Sequence, residues 1–219
     1  LPISAHQHLQ KATADPNVAA IVVIGSDRAF CAGAEVREFN TPKAGAAPTT
    51  RDLIAAFEAS FKPVVAAISG FALGGGLEVA LGCHYRVATR DAQLGLPEVK
   101  LGILPGAGGT QRLPRALGVA KALEVMLTGN PMRAEQAAGT PLVDEVATGD
   151  LLASAVQFAQ KIKGNPVRKL RDLPAHVDNA EAFFAAARER AAKESRGYPA
   201  PLKIIDAVEG AVRLPFEEG

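Results

Sequence analysis

The chain has 219 residues, of which 48% are hydrophobic and 21% are charged. These proportions are typical of a soluble globular protein, and the length suffices for one core with a small appendage. A net charge of +1 gives no support to nucleic-acid binding, which needs a clustered basic surface. No apolar run reaches the roughly 18 residues of a membrane-spanning helix. The two cysteines, Cys31 and Cys83, lack metal-binding spacing, so we interpret them as small buried side chains and predict no metal site.

The first third of the chain alternates helices and strands. We predict a helix over 3–14, a strand buried on both faces over 19–24, a mobile loop over 40–50, a helix beginning at Thr49 or Thr50, and a second buried strand over 64–69. A strand, a helix and a further strand form a βαβ unit. This unit predicts a largely parallel sheet and the α/β fold class.

The remaining elements divide the chain into two parts. We predict strands over 84–89 and 142–146 and turns over 92–105. We predict one helix that begins at about residue 108, and further helices over 119–128, 133–138 and 150–163. Pro114 is expected to kink or interrupt the helix in which it lies. After Gly164, residues 168–179 are polar and interrupted by proline, which is typical of a linker, and two helices follow at about 178–196 and 201–213. We therefore predict a core over residues 1–163, followed by a linker and C-terminal helices over 164–219.

Three adjacent glycines, Gly74 to Gly76, precede a predicted helix. Glycine leaves backbone N–H groups accessible, and the start of a helix favours negative charge. One such N–H could bind a developing oxyanion if a second donor came from the small residues at 30–34, which also follow a buried strand. Close packing of helix and strand is the alternative explanation. A dinucleotide-binding motif is excluded because Val79 occupies the position of its third glycine.

Two glutamates lie in apolar surroundings close to glycine turns. Glu78 falls in the first turn of the helix after the glycines, and Glu98 follows a Leu-Pro pair. Each alone could be a surface group. Together they suggest a pair of carboxylates at a cleft, where one can stay protonated near neutral pH and act as an acid. Arg37 is either a solvated side chain or a contact for a phosphate.

Three stretches carry a resemblance to a known family: residues 28–39 (RAFCAGAEVREF), 66–88 (AAISGFALGGGLEVALGCHYRVA) and 94–115 (LGLPEVKLGILPGAGGTQRLPR). They closely resemble the crotonase (enoyl-CoA hydratase/isomerase) family. The resemblance implies a spiral of ββα repeats that binds acyl-CoA. It places the oxyanion hole at the N–H groups of Ala34 and Gly75, and the adenine end of CoA against the backbone of Cys31, Ala32 and Gly33.

The same resemblance assigns roles to the two glutamates. Glu78 would activate a water that attacks C3 of a trans-2-enoyl thioester, and Glu98 would deliver a proton to C2. Both glutamates together favour hydration, whereas isomerisation of a 3-enoyl to a 2-enoyl thioester needs one carboxylate. The isomerase remains an alternative activity, and a non-catalytic acyl-CoA-binding module is the alternative from another class.

The end of the chain resembles one subgroup of the family. Residues 196–219 are similar to the linker helix after the hydratase domain of multifunctional fatty-acid oxidation enzymes, in which a 3-hydroxyacyl-CoA dehydrogenase follows. We expect NAD only for that absent part, and coenzyme A only as part of the substrate. The family's first strand and hairpin are expected before Leu1. The expected assembly is a monomer or homotrimer, and the expected compartment is a bacterial cytoplasm, with peroxisome and mitochondrion left open.

Overall fold

The computed structural model describes residues 2–26, 28–33, 47–194 and 197–219. Within them, the α-helices are α1 (Pro2–Ala14), α2 (Thr50–Ala59), α3 (Gly75–Gly82), α4 (Gly109–Leu117), α5 (Val119–Thr128), α6 (Leu151–Ile162), α7 (Ala180–Glu194) and α8 (Ala200–Arg213). The strands are β1 (Ile21–Ile24), β2 (Val64–Ile68), β3 (Phe71–Leu73), β4 (Tyr85–Ala88), β5 (Gln93–Gly95), β6 (Met132–Arg133) and β7 (Glu145–Val146). Short 3-10 helices cover Pro97–Leu101, Ala134–Ala137 and Leu170–Asp172.

The larger sheet is parallel throughout and has the strand order β1-β2-β4-β7. All five residues of β2 are buried, as the apolar run predicts. The prediction that the first strand is buried on both faces is wrong, because β1 lies at the edge of the described sheet and its residues are partly exposed. Ile24 at its end is 44% exposed.

A smaller sheet consists of β3, β5 and β6, and of these strands β5 lies in the segment 92–105 that the sequence predicted as turns. β3 and β5 are parallel, and β5 and β6 are antiparallel. Cys31 forms an isolated parallel bridge with Ala72 of β3. This bridge brings the segment after the first strand alongside the strand that leads into the three glycines.

The two faces of β2 contact two hydrophobic clusters, because successive side chains of a strand point to opposite faces. Val64, Ala66 and Ile68 belong to the main core, together with residues of α2 to α5. Val65 and Ala67 pack against α6 in a smaller cluster.

The C-terminal helices contribute to the main core. Leu170, Phe184 and Ile204, which lie beyond residue 163, are buried in the same cluster as Leu77 of α3. The division of the chain at residue 163 stays a prediction, since packing alone does not define a domain boundary.

Local sequence signals account for the starts of α2 and α6. Thr49 and Asp52 form a reciprocal capping box at the start of α2, as the predicted N-cap requires. Asp150 caps α6 by accepting a hydrogen bond from the N–H of Ala153 at 2.7 Å. Pro114 lies inside α4, which ends at Leu117.

Candidate functional site

The three glycines connect β3 to α3 and let neighbouring chain segments approach closely. Gly74 has φ +54°, and a Cβ there would lie 3.1 Å from Oε1 of Glu98. A Cβ on Gly76 would collide with the carbonyl oxygen of Cys31. The glycine run therefore has both explanations that the sequence allowed: it permits close packing, and it exposes the first N–H groups of α3.

Segment 31–33 runs beside the start of α3. The N–H of Cys31 donates to the carbonyl of Phe71 at 3.1 Å, and the N–H of Leu73 donates back to the carbonyl of Cys31 at 3.1 Å. Gly33 has φ +105°, and a Cβ there would lie 3.8 Å from the nitrogen of Gly75. Because Gly75 is the first residue of α3, its N–H has no acceptor within the helix.

The structure thus gathers Cys31, Ala32, Gly33 and Gly75 at one place. Cys31 is partly buried, and Ala32 is exposed. Ala34 and Arg37 lie outside the described residues. The second oxyanion donor and the phosphate contact therefore stay predictions.

Glu78 projects from the first turn of α3 and is buried, with 3% of its surface exposed. Its Oε1 accepts hydrogen bonds from the N–H of Ala107 at 2.7 Å and from the N–H of Gly109 at 2.8 Å. Burial raises the pKa of Glu78, and the two N–H bonds and the charge of Arg112 oppose that rise. The N–H bonds favour the carboxylate form, which is the form that a base requires.

Glu98 lies in the 3-10 helix Pro97–Leu101 and has a different environment. Its Oε2 is buried and has no hydrogen-bond partner among the described residues. Burial, and to a smaller extent the charge of Glu78, raise the pKa of Glu98 to about 7. A carboxyl group in this environment holds its proton near neutral pH.

Gly74 contacts the backbone of Glu78 and the side chain of Glu98. Its carbonyl accepts the N–H of Glu78 at 3.0 Å, and its Cα faces Oε1 of Glu98. The carboxyl group of Glu98 therefore lies at the start of α3, and it is near enough to that of Glu78 for the charge of Glu78 to raise its pKa. This arrangement can bind an oxyanion while one carboxylate accepts a proton and the other donates one.

A second glycine-rich run, Gly106 to Gly109, supplies the donors that hold Glu78, and the sequence reasoning missed this role. The signal is nonetheless present, because the run precedes a helix as the first glycine run does. Arg112 and Arg115, whose residue type alone suggests the surface or an ion pair, are both buried. Arg112 forms a two-pronged ion pair with the buried Glu58, at 3.2 Å and 2.9 Å.

A cavity of about 620 Å³ adjoins the turn that binds Glu78. It lies between α2, the turn and the end of the chain. Its apolar lining includes Ile54, Leu104 and Ala207, and its charged lining includes Arg51 and Arg112. Arg51 donates to the carbonyl of Gly106 at 2.7 Å and so joins α2 to the turn.

No group of three or more His, Cys, Asp and Glu side chains that could hold a metal ion occurs among residues 2–26, 28–33, 47–194 and 197–219. In these ranges no helix is both long enough and apolar enough to cross a membrane.

The chain matches a protein family, and its sequence is similar to those of several known proteins. Residues 4–199 match the family model described as enoyl-CoA hydratase/isomerase. The peroxisomal bifunctional enzyme of Danio rerio is 46% identical over 96% of this chain, and that of Homo sapiens is 41% identical over 96%. The fatty acid oxidation complex subunit alpha of Shewanella loihica is 42% identical over 96%. The chain spans only 29%, 30% and 32% of these three relatives.

Solved structures agree with these matches. An enoyl-CoA hydratase from Bacillus anthracis is 30% identical, with a TM-score of 0.65 over 96% of this chain and 79% of that one. An enoyl-CoA hydratase/carnithine racemase from Magnetospirillum magneticum is 27% identical, with a TM-score of 0.67 over 88% of this chain and 82% of that one. The predicted α/β fold class is confirmed.

Proposed function

Because the chain belongs to the enoyl-CoA hydratase/isomerase family, we propose that it adds water to trans-2-enoyl-CoA thioesters. The resemblance found in the sequence is confirmed at the level of the family. The observation that carries the choice of reaction is the contrast between the two glutamates. Glu78 is held by two N–H donors, whereas Glu98 has a buried oxygen without a partner and a pKa raised to about 7.

In the proposed mechanism, the thioester carbonyl accepts the N–H of Gly75 and that of Ala34. The oxygen carries negative charge as the reaction proceeds, and donors placed there are each worth about 3–4 kcal/mol. Oε1 of Glu78 is bound to Ala107 and Gly109, so Oε2 is left to accept a proton from water. The hydroxyl group bonds to C3.

Glu98 completes the addition by giving its proton to C2 as the enolate collapses. The water thus contributes a hydroxyl group to C3 and a proton to the enzyme, and Glu98 supplies the proton at C2. A proton must pass from Glu78 to Glu98 before the next turnover. The two carboxyl groups lie close enough for the charge of Glu78 to raise the pKa of Glu98.

Isomerisation of 3-enoyl-CoA to 2-enoyl-CoA is the second candidate reaction. It needs one group that moves a proton from C4 to C2, and a carboxyl with a pKa near 7 can both accept and donate a proton. Glu98 is the residue for this step. A module that only binds acyl-CoA would need neither the raised pKa of Glu98 nor the paired donors on Glu78.

The relatives favour a multifunctional setting. Their printed names describe bifunctional enzymes and a fatty acid oxidation complex, and this chain corresponds to about 30% of their length. We propose that the chain is the hydratase part of such a protein in fatty-acid β-oxidation. NAD would serve only a dehydrogenase part, and coenzyme A enters as part of the substrate. A bacterial cytoplasm and a monomer or homotrimer remain the proposed compartment and assembly.

The test follows the absorbance of the conjugated thioester when the purified chain meets crotonyl-CoA. We expect the absorbance to fall with the wild type and to stay constant with Glu98→Gln. Binding of acyl-CoA without turnover by the wild type would contradict the enzyme and favour the binding module. No binding would refute the proposed oxyanion site as well.

A further inference from the structure

The turn that binds Glu78 packs against the guanidinium group of Arg112. Gly108 sits between the two N–H donors, has φ +95°, and faces the guanidinium of Arg112 so closely that a Cβ there would collide with Nη1. Arg112 is one turn further along α4 and is buried. The position of this guanidinium therefore limits where the turn can lie.

Arg112 is in turn fixed by two contacts. Its two-pronged ion pair with Glu58 joins α4 to the end of α2. The ring of Phe216 covers its other face, with 4.8 Å from the guanidinium carbon to the ring centroid. Contacts between a cation and an aromatic ring are attractive, and they strengthen where water is excluded.

Phe216 belongs to residues 214–219, which we call the C-terminal strap. Its ring also contacts the guanidinium groups of Arg115 at 5.2 Å and Arg171 at 4.5 Å. Arg171 forms an ion pair with Glu217 of the strap. One half-buried ring thus packs against three guanidinium groups.

The helix before the strap also contacts α4. Gln111 donates to the carbonyl of Ala207 at 2.8 Å, and Arg115 donates to the carbonyl of Ala211 at 3.1 Å. These bonds join the outer face of α4 to α8, while the inner end of α4 meets Glu78. The C-terminal part of the chain is thereby connected to the active site through one short helix.

We propose that Arg112 and Phe216 are positioning residues for Glu78. The C-terminal strap would keep the N–H groups of the turn at residues 107–109 within hydrogen-bond distance of that carboxylate. The proposal rests on the proposed function, in which Glu78 is the base. Neither positioning residue touches the substrate. They act by keeping two N–H groups on Oε1, so that Oε2 faces the reacting water.

The charges around Glu78 let this role be separated from a general electrostatic effect. Glu98 faces it from the 3-10 helix, Arg112 from α4 and Arg51 from α2. Substitution of Phe216 removes none of these three charges. A change in the proton affinity of Glu78 after that substitution would therefore come from displacement of the turn or of the Arg112 guanidinium that Phe216 covers.

The central variant is Phe216→Ala, measured in the full chain. We expect kcat for crotonyl-CoA hydration to fall about tenfold, with KM within about twofold, because a small displacement of a catalytic group is costly. The acidic limb of the pH profile should move up by about half a pH unit, since longer N–H bonds stabilise the carboxylate less. Phe216→Tyr keeps the ring and should restore both values.

Phe61→Ala is the matched control. Phe61 is 73% exposed, and its ring also contacts a cation, with Nζ of Lys62 5.6 Å from the centroid. Loss of this ring should leave kcat and the pH profile unchanged. If Phe216→Ala lowers the folded fraction measured by circular dichroism, Phe216→Leu replaces it, because leucine keeps apolar bulk without the ring electrons.

A direct titration separates this proposal from the proposed function. The carboxyl carbon of Glu78 is followed by NMR in glutamate-labelled protein and assigned with Glu78→Gln. If the wild type does not hydrate crotonyl-CoA, the proposed function fails, while the titration still reports on the turn. An unchanged Glu78 titration in Phe216→Ala, or the same change in Phe61→Ala, would overturn the positioning role.

Discussion

Replacement of Glu98 by glutamine should abolish hydration and yet stabilise the folded protein above neutral pH. Oε2 of Glu98 is buried without a partner among the described residues, and the charge of Glu78 lies nearby. At pH 8 the wild type must hold a carboxylate in this place. Glutamine has the same shape and carries no charge, so the variant avoids that cost.

The sign and size follow from the pKa. Burial raises the pKa of Glu98 from 4.5 to about 7, so the folded chain binds this proton more tightly than the unfolded chain does. The stability that this group contributes is therefore fully present below pH 4.5 and is lost as the pH rises through about 7. The full effect would be about 3 kcal/mol. Because the side chain is partly exposed, solvent screening reduces this to about 1–2 kcal/mol.

The assay is thermal unfolding of the wild type and Glu98→Gln at pH 5 and pH 8. A change of 1–2 kcal/mol corresponds to a shift in Tm of about 3–6 °C for a chain of this size. We expect the variant to gain that much at pH 8 and less than about 1 °C at pH 5. Glu124→Gln, at an exposed glutamate of α5, serves as the control and should show no dependence on pH. Equal shifts of Glu98→Gln at both pH values, or a lower Tm at pH 8, would refute the reasoning.

Four further predictions concern the same fold. The kcat for hydration should decrease as pH rises through about 7, because Glu98 must carry a proton, and a rate that stays constant to pH 9 would contradict this assignment. Glu78→Gln should lower hydration of crotonyl-CoA at least about 100-fold while isomerisation of 3-enoyl-CoA persists; equal losses in the two assays would reject this division of roles. Gly109→Ala should lower kcat about tenfold, because its Cβ would lie 3.0 Å from Oε1 of Glu78, whereas Gly106→Ala in the same run meets nothing within 4 Å and should keep wild-type kinetics. Arg86→Met should lower the free energy of unfolding in urea by about 3–5 kcal/mol, because the buried guanidinium of Arg86 donates to four backbone carbonyls that would lose this donor, and a loss below about 1 kcal/mol would speak against this role.

Much of the fold could be predicted because its signals are local. The apolar run of β2 and the capping box at Thr49 are each contained in fewer than ten residues, and both appear as predicted. Burial of a strand depends instead on its neighbours in the sheet. The run at 19–24 resembles a central strand in composition, but β1 pairs with β2 alone among the described residues and is partly exposed.

The site was harder to predict because its contacts are long-range and involve the backbone. The sequence suggested Glu78 and Glu98 through their residue type and apolar surroundings. The partners of Glu78 are backbone N–H groups 29 and 31 residues away. Almost every residue type carries a backbone N–H group, so the sequence does not show which of them will act as donors. Arg112 resembles any surface arginine until Glu58, 54 residues before it, is placed beside it.

In the proposed mechanism, the different roles of the two glutamates come from the surroundings of their carboxyl groups. The side chains are identical, and both are removed from water, so burial alone would raise the pKa of each. What separates them is the turn at the start of α4, which gives two N–H groups to Glu78 and none to Glu98. In the proposed mechanism, the position of that turn therefore decides which glutamate acts as the base and which as the acid.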